Sequence, residues 1–289
     1  LIRQTKTVLK DYFRMPQIDP DKIARIIRDV AADKIMPRFK QLEESEINTK
    51  SGPTDLVTIA DIEAEEDLTR IFKDILPGSH VVGEEAVSKN EINMDLLATE
   101  SDPIWVVDPV DGTMNFAMGD ERFGMIIALV QKGEVLQGWL FDIPRDRMGI
   151  GEKGGGVEIN GSKRSYPVMQ NPLSETRGFI SRKFLPKKMR EELKDVLDTE
   201  FGNVETYLCC AHEYLDILDG ESFFSMYSRI RPWDHLAGAM MLKESGGYVR
   251  KWDRSLYEAG DQRGGVICTD TKENWQKIHD FLLKDYLKN

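Results

Sequence analysis

The sequence predicts a mixed α/β (α+β) protein built from two fused subdomains, residues 1–172 and 173–289, and three observations carry that prediction. Apolar residues recur at helical spacing in two early segments: Ile23, Ile26, Ile27, Val30, Ala31 and Ile35, then Ile62, Leu68, Ile71, Phe72 and Ile75. Residues 125–130 and 135–143 read as neighbouring strands joined through Lys132-Gly133. Beyond Asn171-Pro172 the rhythm changes to short strands alternating with helices. No low-complexity linker separates the halves, so they are expected to share an interface.

Composition narrows the function. A chain of 289 residues, 40% hydrophobic and 31% charged, is an ordinary globular protein with room for one large core or two subdomains. A formal charge of -11 speaks against a nucleic-acid partner, which would need an electropositive face. It admits an anionic substrate if metal ions lie between. Cys209, Cys210 and Cys268 show no Cys-x-x-Cys spacing, which argues against a cysteine-held zinc or a disulfide framework. No apolar run approaches the ~20 residues of a membrane span, and no secretory leader is legible. A cytoplasmic protein with no membrane partner is expected.

In chain order, a short separate helix is expected before Asp19. Asp19-Pro20 then supplies cap and first-turn chemistry for a helix to about residue 41, which Pro37 kinks or ends. A turn-rich segment, residues 50–61, enters the second helix with Asp61 placed as its N-cap, and Pro77-Gly78 stops it. Val81-Val82 reads as a brief strand entering a turn at Gly83-Glu84-Glu85, whose acids are by themselves expected in solvent. Residues 104–107 form a buried strand ending at Asp108-Pro109. Gly154-Gly155-Gly156 lacks dinucleotide-loop spacing, and Asn160-Gly161 makes a hairpin turn. The phosphate-loop signature is absent. In the second half, strand 178–181 precedes a charged helix at 187–197. Pro232 opens a helix closed at Gly246-Gly247, with Asp234 readable as its N-cap and His235 as a structural residue. Strands at 248–249 and 266–268 lead to a last helix carrying Trp275, Ile278, Phe281 and Leu282.

Everything is organised around Asp108-Pro109-Val110-Asp111-Gly112-Thr113. Two carboxylates three positions apart at the end of a buried strand cannot both ionise cheaply unless a cation neutralises them. Oxygen ligands from carboxylates and a backbone carbonyl suit Mg²⁺.

Taken with Lys50…Asp55-Leu56-Val57-Thr58…Asp61, with Gly83-Glu84-Glu85 and with Trp233-Asp234-x-x-Ala237-Gly238, this block resembles the inositol monophosphatase family, part of the lithium-sensitive Mg²⁺ phosphatase superfamily. The resemblance implies a layered αβαβα sandwich of the sugar-phosphatase type, assembled as a homodimer. It places one Mg²⁺ on Glu84, Asp108 and the carbonyl of Val110, and a second on Asp108, Asp111 and Asp234. A third ion near Glu84 is common in the family. The Thr113 hydroxyl, oriented by Asp61, would position the attacking water together with Glu84, and Lys50 would lie on a loop near the metals. Gly112, Thr113, Asp234 and Ala211 would contact the substrate. Backbone N–H groups of Gly112 and Thr113 at a helix start can meet phosphoryl oxygens.

The second half departs from the family. Where inositol phosphatases carry Gly-Ser/Thr-Ala, this chain has Cys209-Cys210-Ala211, and the family's ring-binding Glu before Trp-Asp is missing from Ser225-Met226-Tyr227-Ser228-Arg229. Inositol 1-phosphate is therefore the default small phosphorylated metabolite. Fructose 1,6-bisphosphate and a 3′(2′),5′-bisphosphate nucleotide are alternatives, for which Arg182, Lys183, Arg229 and Arg231 could form a second cationic pocket. Histidinol phosphate is another, with Glu213 near its amine. A reading from a different class is a regulatory protein-interaction module with secondary phosphatase activity.

Overall fold

The computed structural model describes residues 18–50, 52 and 55–283; the helix expected before Asp19 lies outside them. The chain opens with α1 (Pro20–Val30), capped by Asp19, and continues through a π turn at Ala31–Ile35 and a 3-10 turn at Met36–Arg38, where Pro37 sits. A hairpin of β1 (Ile47–Thr49) and β2 (Leu56–Thr58) leads into α2 (Ile59–Ile75). A seven-stranded sheet follows: β3 (His80–Gly83), β4 (Ile104–Asp111), β5 (Gly124–Gln131), β6 (Glu134–Asp142), β7 (Arg147–Glu152), β8 (Gly156–Ile159) and β9 (Ser162–Arg164), side by side in that order. Short helices α3 (Glu84–Ser88), α4 (Leu96–Thr99) and α5 (Thr113–Ala117) sit in its first connections. The last third contributes β10 (Gly178–Ile180), α6 (Lys187–Glu200), β11 (Val204–Glu205), α7 (Cys210–Leu218), β12 (Phe224–Tyr227), α8 (Pro232–Glu244), β13 (Tyr248–Lys251), β14 (Val266–Thr269) and α9 (Lys272–Leu283). Its strands pair in the order β11-β10-β12-β14-β13.

Alternation along the strands separates the layers, because successive side chains point to opposite faces. Trp105, Val107, Ile127 and Trp139 face α1 and α2, with Phe72 of α2 stacked 4.3 Å from Trp105. Val106, Ile126, Ala128 and Leu140 face the other way, onto α7 and α8, which the second sheet covers with Phe179, Tyr227, Val249 and Cys268. Ile180, Phe224, Met226 and Ile267 look outward to α6 and α9. The result is the expected αβαβα sandwich. No described helix is long and apolar enough to cross a membrane.

Several local expectations need correcting. Strand β4 does not stop at Asp108: its pairing with β5 shifts between Asp108 and Asp111 and resumes at Asp111 opposite Gly124. Asp61 is not the N-cap of α2; Thr58 is, and Asp61 is the third helical residue of a reciprocal capping box. Asp234 is likewise the third residue of α8, with Arg231 at the cap. Glu84 and Glu85 open a helix instead of an exposed turn, and Glu85 is buried. Phe281 is largely exposed, so the apolar face of α9 is Trp275, Ile278 and Leu282.

Candidate active site

The site begins with the irregularity in β4. It keeps Asp108 and Asp111 on one strand while turning both carboxylates into a buried region. Gly112 then adopts φ +86°, and a Cβ there would stand 2.8 Å from the Arg122 carbonyl, so only glycine fits. That turn makes Thr113 the first residue of α5. Asn115 Nδ2 donates to the carbonyls of Arg122 (2.6 Å) and Tyr207 (2.8 Å), which fastens α5 to the loop preceding α7.

Carboxylate oxygens of Glu84, Asp108 and Asp234 come within 4.8 Å of one another, brought from α3, β4 and α8. Burial pushes Asp108 well above the usual carboxylate range, and repulsion from Glu84, Asp111 and Asp234 pushes it further. Asp234 is raised by burial and by Glu84 and Asp111, with Arg229 and Arg231 opposing. Acids this close are mutually destabilising without a cation. An all-oxygen donor set of this kind fits hard divalent ions. The carbonyl of Val110 and the carboxylate of Asp111 border the same cleft.

Thr113 Oγ1 lies 3.1 Å from Asp61 Oδ1 and 3.0 Å from the Val110 carbonyl oxygen. Asp61 Oδ2 accepts from the Thr58 N–H (2.8 Å) and hydroxyl (2.5 Å). Burial raises Asp61 to about 6, with both bonds from Thr58 opposing. Lys50 Nζ bridges Glu84 (2.7 Å) and Glu85 (2.6 Å). The structure thus gathers Lys50, Asp61, Glu84, Asp108, Val110, Asp111, Gly112, Thr113 and Asp234 around one place.

Ala211 is different. It is fully buried, and its N–H donates to Asp111 Oδ2 at 2.6 Å, beside the Cys209 thiol at 3.2 Å. It positions Asp111 and does not reach the cleft. Glu213 does border the cleft; its Oε1 accepts from the Thr206 hydroxyl and the Tyr207 N–H, and its Oε2 is buried with no hydrogen-bond partner among the described residues. Of the four candidate cations, Lys183, Arg229 and Arg231 line the cleft and Arg182 does not.

Sequence reasoning missed Glu65. Its carboxylate accepts the N–H groups of Glu85 and Ala86, each at 2.8 Å, and so holds the first turn of α3, where Glu84 sits. The available signal was its position, since Asp61, Glu65, Leu68 and Phe72 share the buried stripe of α2.

A family model described as the inositol monophosphatase family matches residues 20–286. An inositol-1-monophosphatase of Bacillus subtilis is 28% identical over 207 residues, 71% of this chain and 76% of that protein. A fructose-1,6-bisphosphatase/inositol-1-monophosphatase of Aquifex aeolicus is 25% identical over 269 residues, covering 91% and 93%. Among solved structures, an IMPase from Thermotoga maritima superimposes with a TM-score of 0.77 over 92% of this chain and 98% of that one; at 23% identity it speaks to the fold alone.

Proposed function

The chain belongs to the inositol monophosphatase family of metal-dependent phosphatases for small phosphate esters, and from that premise we propose that it hydrolyses a phosphate monoester with Mg²⁺, inositol 1-phosphate being the default substrate. The observation that carries this reading is the convergence of Glu84, Asp108 and Asp234 from three separate elements. Glu84, Asp108 and the Val110 carbonyl would hold one ion, and Asp108, Asp111 and Asp234 a second. Bound there, the ions supply Lewis acidity that activates a water and relieves charge on the departing oxygen.

The protein's own groups do the rest. A hydroxyl has one proton, and Thr113 has two acceptors within reach. Once the Val110 carbonyl is engaged, that proton goes to Asp61, and the lone pairs of Thr113 Oγ1 are free to accept from a water opposite the phosphate. Glu84, which lines the same cleft, would offer the second acceptor that fixes the water's orientation. Gly112 and Thr113 line the cleft, and their N–H groups would meet phosphoryl oxygens there. A homodimer in the cytoplasm is proposed on the family's footing; sedimentation tests the assembly.

The test is phosphate release across sugar, inositol, nucleotide and amino-alcohol phosphates with Mg²⁺, wild type beside Asp108→Asn. Loss on the order of 10³-fold is expected, because the variant weakens both ion positions. Undiminished turnover by the variant, or by chelator-stripped protein, defeats the reading.

A further inference from the structure

We propose that the substrate carries a second phosphate, held by Arg229 and Arg231, which line the same cleft as the carboxylates. This deepens the phosphatase reading above and rests on it.

The topology makes the wall. Strands β10 and β12 are parallel neighbours, with Ile180 beside Met226, so the segments that leave their ends emerge together over the cleft. One brings Lys183 and Phe184, the other Arg229 and Arg231, and all four line it. Phe184 serves two cations at once: Lys183 Nζ lies 5.3 Å and the Arg229 guanidinium 4.8 Å from its ring centroid. Arg231 stands 5.8 Å from the centroid of the Trp233 ring. Its Nε is buried with no hydrogen-bond partner among the described residues. Burial lowers the Arg231 pKa, and the charge of Arg229 lowers it further.

Like charges collect in a partly buried wall only against negative charge. Without metals, that charge comes from Asp234, Glu84 and Asp55, which attract Arg231. Two divalent ions carry four positive charges and would offset the four carboxylates Glu84, Asp108, Asp111 and Asp234. The arginines then lose their counter-charge as the site is loaded. An anion on the far end of the substrate restores it, and the planar guanidinium fork matches phosphate oxygens. Glu213 lines the same cleft; burial raises it to about 7, its Oε1 is engaged within the protein, and its Oε2 has no hydrogen-bond partner among the described residues.

Two measurements test the proposal. Sulfate is titrated calorimetrically into Mg²⁺-loaded protein, in which the ions hold the carboxylates and the arginines are left without counter-charge, and the binding lost on removing an arginine reads the wall's share. Arg229→Met and Arg231→Met are each expected to weaken it at least fivefold, and Arg229→Lys to recover part of the loss, with thermal unfolding checked for every variant. With Mg²⁺ present, kcat/KM is compared for fructose 1,6-bisphosphate against fructose 6-phosphate, and for adenosine 3′,5′-bisphosphate against adenosine 3′-phosphate. The bisphosphate preference should fall at least tenfold in Arg229→Met, mainly through KM. No sulfate binding by the wild type, or sulfate binding and preference both unchanged in folded variants, overturns the proposal while leaving the phosphatase reading intact. Failure of the wild type to cleave any of the four esters counts against the phosphatase reading, and the sulfate titration still decides the subsite.

Discussion

Replacing Glu65 by Gln is expected to loosen a metal-holding residue that Glu65 never touches. The carboxylate is 5% exposed and its two oxygens accept separately from the N–H groups of Glu85 and Ala86, 2.8 Å each. Gly83 passes so close that a Cβ there would lie 2.2 Å from Glu65 Cδ, so the contact leaves no room for a shifted side chain. Burial raises Glu65 to about 7 against both donors, so at pH 8 it is ionised and both oxygens accept. An amide can satisfy one N–H with its oxygen but turns an NH₂ group toward the other. One charge-assisted bond, ~1.5–3 kcal/mol, is lost and a buried donor is left facing a donor, ~1–3 kcal/mol; relief of the burial that raises Glu65 from 4.5 to about 7 returns ~3 kcal/mol at pH 8, which leaves an expected cost of ~0–3 kcal/mol. Because Glu84 is the first residue of the turn these bonds hold, the affinity for divalent ions should fall about 10–100-fold. Urea unfolding at pH 8 in chelator reads the first effect, and the Mg²⁺ concentration for half-maximal phosphate release reads the second. A variant with the wild-type urea midpoint and the wild-type half-saturation refutes the reasoning. A stability loss with unaltered Mg²⁺ dependence refutes the link to Glu84.

Three further outcomes follow from the same geometry. Thr113→Val removes the hydroxyl between Asp61 and the Val110 carbonyl, and kcat for phosphate release should drop ~10²–10⁴-fold with KM little altered; a wild-type kcat would exclude Thr113 from orienting water. Lys50→Met strips Glu84 and Glu85 of the cation they share, so the melting temperature in chelator should fall and Mg²⁺ should recover much of it; equal deficits with and without Mg²⁺ contradict this. Burial lowers His235 from 6.5 to about 4, so the folded chain keeps it neutral where the unfolded chain takes up a proton. Its contribution is intact above pH 6.5 and is lost as pH falls from 6.5 through 4, by ~3 kcal/mol in all. Urea midpoints at pH 7.5 and 4.5 should therefore differ less in His235→Gln than in the wild type, and an equal difference rules His235 out.

Much of the architecture was legible because it follows from periodicity. The stripe through Ile23, Ile27 and Val30 and the alternation of Trp105 and Val107 with Val106 dictate which faces must be covered. Acids at the end of a buried strand advertise a cation for the same elementary reason. Other features were hidden because they depend on partners distant in sequence. The continuation of β4 past Asp108 exists only because Asp111 finds Gly124 on β5. The role of the Ala211 N–H, which serves Asp111 100 residues away, leaves no mark on the local sequence. Asp61 read as a cap because Asp is common there, yet Thr58-x-x-Asp61 is the sequence form of a capping box, in which the roles are exchanged.

The two walls of the cleft are built differently, and this explains why the chemistry was easier to read than the substrate. Three of the acids on the metal side are set by the backbone: a strand irregularity places Asp108 and Asp111, a helix start held by Glu65 places Glu84, and Asp111 is held by the Ala211 N–H. Changing one such residue disturbs several hydrogen bonds, so its type is tightly constrained by the fold around it. The facing wall hangs from the ends of β10 and β12 and acts through side chains alone. His235 secures only its backbone, donating from Nε2 to the Arg229 carbonyl at 3.0 Å while Nδ1 accepts from the Tyr214 hydroxyl at 3.1 Å. Substituting the guanidinium of Arg229 would leave those bonds in place. Its charge, moreover, gains its meaning only from the ions and phosphate across the cleft, and a reading along the chain assigns it no counterpart. A wall anchored by its backbone and acting through its side chains can exchange one substrate for another, and that is where differences in specificity between this chain and its relatives should concentrate.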